Sequence, residues 1–448
     1  MMDYLERLCR FVSDTRWEDI PQPVRDRTCA IVLDTLPVMA WGMRTPQMQA
    51  LAAQQMAFGS PGPCWVVGLE KTTNRIDAAM LNGIAGAWLD FDEGNFLANG
   101  HPGIQVIPAA LAVAQERGLS GREFLTAVAL CYEVVARIGM ATQIKLIINP
   151  HGTFGVVGAA LATARLLGVP ASEYRNLASL AASSCVATNR HTMLDGATVR
   201  NWYAGHSGYM GQMAVRLVQS GFTGPSDGVN TTFSLVLGDG FQGEVAVQDL
   251  GQRWLLTEGY LKLYPTARYV HSAIDALQDL QAKAPRTIAF DEVADIDVRA
   301  YRLAAYLSTQ RPKDWFGARF SIPFALATLM VGERTGLDAF SDAAVHDPRI
   351  VNLASKIRVI EEPSFSVGYP AQQRVDLSLT TRGGECFHGQ CITTSGEPDR
   401  PHSDESLQRK FNDLAIPLWG ESAARELSDA ILNLQACPDM TQLLDFLP

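Results

Sequence analysis

Val157-Gly-Ala-Ala-Leu-Ala-Thr-Ala-Arg-Leu-Leu-Gly168 decides how the first half of this chain folds. The run is apolar without period-two alternation, and its only charge is Arg165. Gly168-Val-Pro170 then stops it, so it predicts a buried helix over 153–167. Its glycine and alanines let neighbouring helices approach closely, and it is too short to cross a bilayer. Related patterns over 78–90, 104–117, 122–139, 173–187 and 203–220 surround it. Gly118-Leu-Ser-Gly121 and Gly221-Phe-Thr-Gly-Pro225 punctuate them. Upstream, Leu5, Leu8, Phe11 and Val12 recur at helical spacing behind an Asp3 N-cap, and a second helix spans Val24 to Leu36 after Pro21 and Pro23. Residues 1–266 therefore read as an all-helical domain and not as a dinucleotide-binding unit.

The character of the chain changes near residue 266, and the period switches to two near residue 290. Val293, Asp295, Asp297, Arg299 and Tyr301 alternate with Ala294, Ile296, Val298 and Ala300, a strand signal. Lys356–Ile360 is a second strand. Val375, Leu377 and Leu379 form a third, which turns at Arg382-Gly-Gly-Glu385 and returns through Cys386-Phe-His-Gly-Gln-Cys391. Arg319–Val331 and Arg349–Ala354 read as helices between them. Helical patterns resume after residue 395, at 405–414 and 423–434. The expected fold is mainly α. A large helical domain (1–266 and 395–448) carries an inserted α+β lid (267–394) with an antiparallel sheet.

Composition narrows the function. The chain has 448 residues, 47% hydrophobic and 19% charged, with a net charge of −10 and no basic stripe. Nucleic acid and anionic membrane are poor partners for it. Asp3, Glu6 and Arg7 interrupt any signal-peptide core, which points to the cytoplasm. The eight cysteines are too scattered for a disulfide framework, and Cys386, His388 and Cys391 have no second ligand pair at zinc spacing. No metal site, iron–sulfur cluster or cofactor is expected. Nucleophile-elbow, P-loop, metalloprotease and dinucleotide motifs are missing.

Polar residues concentrate in four apolar segments: Leu89-Asp90-Phe91-Asp92-Glu93 leading to His101-Pro102; Asn149-Pro-His151-Gly-Thr-Phe-Gly155; Arg200-Asn-Trp-Tyr203-Ala-Gly-His206; and Lys262-Leu-Tyr264-Pro265-Thr-Ala-Arg268. Taken singly, each is as consistent with a helix end as with a site. The His151 loop opens a small-residue helix, where free N–H groups would suit a carboxylate.

The ordered set resembles the MmgE/PrpD family, which contains 2-methylcitrate dehydratase, cis-aconitate decarboxylase and iminodisuccinate epimerase. Asp19-Ile-Pro-Gln-Pro-Val24, the Leu89–Asp92 and His101-Pro102 segments, His151–Gly155, Gly221–Pro225, Lys262–Pro265 and Ala318-Arg-Phe-Ser-Ile-Pro-Phe324 occur in the family's order over nearly the whole chain. The resemblance implies a helical domain with a lid, a homodimer and a small polycarboxylate substrate. It places Asp90, His101, His151 and Lys262 at the pocket between the domains. This chain departs from the common pattern at Ala87, Arg200, Tyr203, Ala267 and Phe324, where many members carry His, Lys, His, His and Tyr.

Those departures remove proton donors that a dehydratase or decarboxylase would use. Epimerisation at a carbon α to a carboxylate needs only two acid/base groups on opposite faces. The resulting expectation is a cofactor-independent epimerase acting on a polycarboxylate such as iminodisuccinate. His151 and Lys262 would be the acid/base pair, with Asp90 and His101 orienting. Arg200 and Arg268 would clamp carboxylates, and Tyr203, His206 and Tyr264 would complete the binding surface. The alternatives are a 2-methylcitrate-type dehydratase or cis-aconitate decarboxylase-like lyase, and a non-catalytic polycarboxylate binder.

Overall fold

The opening stretch lies in the helix Phe154–Leu167, which ends at Gly168 with φ 69°, a left-handed stop that glycine adopts without strain. In the computed structural model, which describes residues 2–332 and 336–446, this helix is surrounded by Pro102–Arg117, Gly121–Ala141, Tyr174–Ser183 and Val199–Gln219. Small residues set the spacing. A Cβ on Gly158 would sit 2.3 Å from Val135 Cγ2, and one on Gly83 would sit 2.9 Å from Gly205 Cα. Local chemistry fixes the starts: Asn74 accepts from the N–H groups of Ile76 and Asp77, and Ser120 with Glu123 forms a capping box.

Gly121–Ala141 is long and apolar enough to cross a membrane by composition, but 94% of that window is buried in the fold. It carries the fully buried pair Glu133–Arg137, at 2.7 Å. Glu133 accepts from the backbone of Leu255 and Leu256, and Arg137 donates to carbonyls of Ala246, Gln248 and Arg253. This pair ties down the chain that leads to Lys262. The body is not purely helical, as the sequence suggested. Thr142–Ile144 pairs with Gly238–Phe241, and Cys64–Trp65 pairs with Thr72–Thr73.

A second core lies in the α+β part. Its four-stranded sheet has the order Ile357–Glu361, Val293–Ala300, Val375–Thr381, Cys386–Cys391. The last two pairings are antiparallel, but Val293–Ala300 and Ile357–Glu361 run parallel. The expected antiparallel sheet is present, extended by one parallel strand. The long helical connection between those two strands supplies the crossover that a parallel pair needs. The helix Arg268–Lys283 covers the sheet, and Gly389 lets it approach: a Cβ there would meet Ala276 O at 2.2 Å. Strand alternation puts Cys386 and His388 on one face, 3.7 Å apart, and Cys391 on the other beside Asp275. The three do not form one ligand set.

The C-terminal helices Asp404–Trp419 and Glu421–Leu432 return to the helical body. Lys410 makes a buried 2.6 Å contact to Asp34 and donates to Phe91 O, and Leu427, Ile431 and Leu434 join the main core.

Candidate active site

The helix Arg75–Ala87 ends just before the acidic segment, and the chain turns sharply at Asp90, whose φ is 50°. A non-glycine residue there is strained unless its surroundings hold it. Here they do. Lys262 Nζ donates to Asp90 O at 2.7 Å and lies 3.4 Å from Oδ2; Arg200 Nη2 donates to Oδ1 at 2.5 Å. Burial alone would raise the Asp90 carboxyl, but Lys262 and Arg200 outweigh it and hold the pKa below the usual value.

The turn sends Asp92 inward, where its side chain is fully buried. Its Oδ2 lies 3.0 Å from His101 Nδ1, and its Oδ1 lies 4.0 Å from Lys262 Nζ. Burial opposes ionisation, yet the charges of His101 and Lys262 and the His101 hydrogen bond prevail, keeping Asp92 well below the carboxylate range. His101 opens the helix Pro102–Arg117. Its Nδ1 faces two acceptors, Asp92 and the Glu93 carbonyl, so this nitrogen carries the proton. Nε2, at the far end of the ring, has no partner among the described residues, and His101 lies on the wall of a cavity.

His151 stacks on His101 with ring centroids 4.7 Å apart and planes 26° apart. Its Nε2 is 3.2 Å from Arg200 Nη2, which can only donate. The proton therefore sits on Nδ1, a buried atom with no partner. Burial, then the charges of Arg200 and His101, depress this imidazole well below its ordinary value, so it is neutral at pH 7. Among the described residues its Nδ1–H is buried without a partner, and the ring has no free lone pair. The N–H groups of its loop are taken: His151 N by Asn149, Gly152 N by Gln105 and Thr153 N by Pro150. The expectation that they cradle a carboxylate is corrected on that ground.

Asp90, His101, His151, Arg200 and Arg268 all reach this one cavity, between the helical body and the α+β part. Lys262 does not line it; the residue is 0% exposed and enclosed by Asp90 and Asp92, to which it is a buried counter-charge. Arg200, which lines the cavity, is also braced as a strut. Nη1 donates to Ala87 O and Asn201, and Nη2 donates to Asp90 and His151. Arg268 is paired with Glu397 at 2.6 Å and stacked 4.4 Å from the Tyr260 ring. Tyr203, His206 and Tyr264 lie off the wall: His206 Nε2 meets Ser184 O, and Tyr264 accepts from Gln278.

Four further wall residues, Arg190, Tyr260, Tyr269 and Tyr369, escape sequence reasoning. None sits in a motif. Asp92 stands inside one, but its pattern there is that of a helix cap, because only the turn at Asp90 shows where it points.

Asp92, His101 and His151 bring one ligand atom each within 4.8 Å of one another, a set whose types suit a divalent ion. The neighbours do not. Arg200 occupies His151 Nε2, and Lys262 stands 4.0 Å from Asp92. Two fixed cations already balance the charge that a metal would neutralise.

Arg200 as a strut has a testable consequence. In Arg200→Lys a single ammonium replaces bonds to Asp90, Ala87 O and His151. Each lost charge-assisted bond costs about 1.5–3 kcal/mol, so urea unfolding should show lowered stability. Steady-state kinetics should show kcat falling while KM changes little; a raised KM with unchanged kcat and stability would restore the clamp.

Glu93 supplies a pH test. Burial, reinforced by the Asp92 charge, pushes its carboxyl up to about 8, against hydrogen bonds from Gly103 N and Tyr132. Between the ordinary 4.5 and about 8 the folded chain holds a proton that the unfolded chain has released. This group's contribution to stability therefore declines as pH rises, by at most roughly 1.4 kcal/mol per unit. Glu93→Gln should remove that decline, so urea denaturation should favour the variant more at pH 7.5 than at pH 5.5. Parallel pH curves for variant and parent would show that Glu93 is ionised in the fold.

Residues 6–237 match the MmgE/PrpD N-terminal domain and residues 264–436 the MmgE/PrpD C-terminal domain. A cis-aconitate decarboxylase of Aspergillus terreus is 24% identical over 98% of this chain and 95% of its own length. The cis-aconitate decarboxylase-like protein oryM of Aspergillus oryzae is 23% identical over the same shares. The human cis-aconitate decarboxylase is 24% identical over 83% of this chain and 79% of its own. The chain belongs to the MmgE/PrpD family.

Proposed function

We propose that this MmgE/PrpD protein is a cofactor-independent lyase that delivers one proton to a carbon beside a carboxylate in a small polycarboxylate. Decarboxylation of a substrate such as cis-aconitate is the leading reaction. The observation that carries the reading is the His101–Asp92 pair: an imidazole whose inner nitrogen is held by a buried carboxylate and whose outer nitrogen is unpartnered at the cavity. Protonated on Nε2, His101 gives that proton to the alkene carbon. The bond to a second carboxylate breaks, its electron pair becomes the new double bond, and carbon dioxide leaves. Asp92 stabilises the imidazolium that must form first.

The epimerase expected from the sequence is less well supported. Two-base epimerisation needs its groups on opposite faces of one carbon. The two imidazoles stack at 4.7 Å, which leaves no room for a carbon between them, and Lys262 is enclosed away from the wall. The relatives' names favour the lyase as well.

Incubation with cis-aconitate, with carbon dioxide release measured beside polarimetry of chiral polycarboxylates, tests the reading. Carbon dioxide release without racemisation of the chiral acids supports it. Interconversion of stereoisomers with no carbon dioxide release would return the epimerase.

A further inference from the structure

The cavity wall carries three arginines, and their partners differ. Arg200 spends its terminal nitrogens on Asp90, His151, Asn201 and Ala87 O. Arg268 is neutralised by Glu397. Arg190 is 8% exposed and uses Nε on Ile148 O at 3.1 Å. Its two terminal nitrogens have no hydrogen-bond partner, and no carboxylate lies in ion-pair contact with it, among the described residues. Asp90 and Asp92 offset Arg200 and Lys262, so Arg190 is, among the described residues, the one wall cation left without a counter-charge.

Its position is also fixed. The chain 186–190 runs along the loop that bears His151: Val186 N donates to Gly152 O, Thr188 Oγ1 to Asn149 O, and Arg190 N to Ile147 O. With the Nε bond, Arg190 and His151 belong to one hydrogen-bonded unit. Holding a guanidinium this way costs ordering and desolvation that an unpaired charge does not recover. A planar fork presented at a cavity by its anchored Nε edge is built for a carboxylate.

We propose that Arg190 is the specificity residue of this site. It takes a substrate carboxylate remote from the reacting carbon, and so selects acids with one more carboxylate than the chemistry requires. This rests on reading the cavity as a polycarboxylate site and adds which residue counts the charges.

Calorimetric binding of two unreactive acids tests it: tricarballylate, with three carboxylates, and glutarate, which lacks one of them. The parent should bind tricarballylate at least about tenfold more tightly than glutarate. Arg190→Met should reduce that ratio to within about threefold, and Arg190→Lys, with charge but no fork, should fall between. A purely structural arginine would weaken both ligands equally, so an unchanged ratio in Arg190→Met overturns the assignment, as does a parent that binds neither acid. If Arg190→Met fails to fold, an unchanged ratio in Arg190→Lys decides against it. A parent that binds with the Arg190-dependent ratio, yet releases no carbon dioxide from cis-aconitate, sinks the lyase reading and leaves this one standing.

Discussion

His101→Asn should lower kcat by about 10²–10⁴ with KM and folding stability little altered. A positioned general acid is worth that much, and the two functions of the ring separate cleanly here. Asparagine can still donate toward the Glu93 carbonyl and Asp92, so the buried side of the contact survives, while the cavity-facing nitrogen disappears. His151 cannot substitute, because Arg200 occupies its Nε2 and burial depresses its basicity. The variant should therefore retain binding of unreactive polycarboxylates by calorimetry while turnover is lost. Near-parental turnover would remove His101 from the chemistry and leave the phenols of Tyr260, Tyr269 and Tyr369 as wall candidates.

Lys262→Met should be the most destabilising change in the site, by about 3–5 kcal/mol. The ammonium serves Asp90 O, Asp90 Oδ2 and Asp92 Oδ1 at once. Without it, the buried carboxylates of Asp90 and Asp92 lose a fixed counter-charge, and the strained turn at Asp90 loses an anchor. Activity should fall in step with the loss of structure. Added alkylamines should not restore it, since a buried counter-charge, unlike a missing base, is out of reach of a diffusing amine. Equilibrium unfolding in urea reads the effect; a stable Lys262→Met rescued by ethylamine would restore lysine as the acid/base group.

Much of the architecture is legible in the amino-acid sequence. The glycines and alanines of 157–168 announce close helix packing, and Gly158 and Gly83 deliver it at distances that no Cβ would allow. The alternation of 293–300 and 375–379 announces a sheet. Strand order is not legible, because alternation tells which face is buried and says nothing of which strand lies beside which. The parallel pairing of 293–300 with 357–361 therefore leaves no mark in the pattern.

In the site, the segments containing Asp90, His101, His151, Arg200 and Arg268 stand out in the sequence, but the roles of Lys262 and Arg200 do not. A charged residue in a motif reads as functional from sequence. Whether it faces ligand or another buried charge depends on partners far away in the chain: 172 positions for Lys262 and Asp90, 110 for Arg200 and Asp90. Arg190 is invisible for the complementary reason. It lies in an unremarkable loop, and its importance comes from what does not neutralise it.

The central claim is that one imidazole, on one side of the cavity, delivers the proton. Turnover of cis-aconitate in D₂O, followed by NMR, tests it most directly. The prediction is a decarboxylated product carrying a single deuterium in one configuration at the carbon that receives the proton, with no deuterium in the recovered substrate beyond the solvent background. Deuterium entering from both faces, or exchange and inversion at a substrate carbon without loss of carbon dioxide, would contradict it.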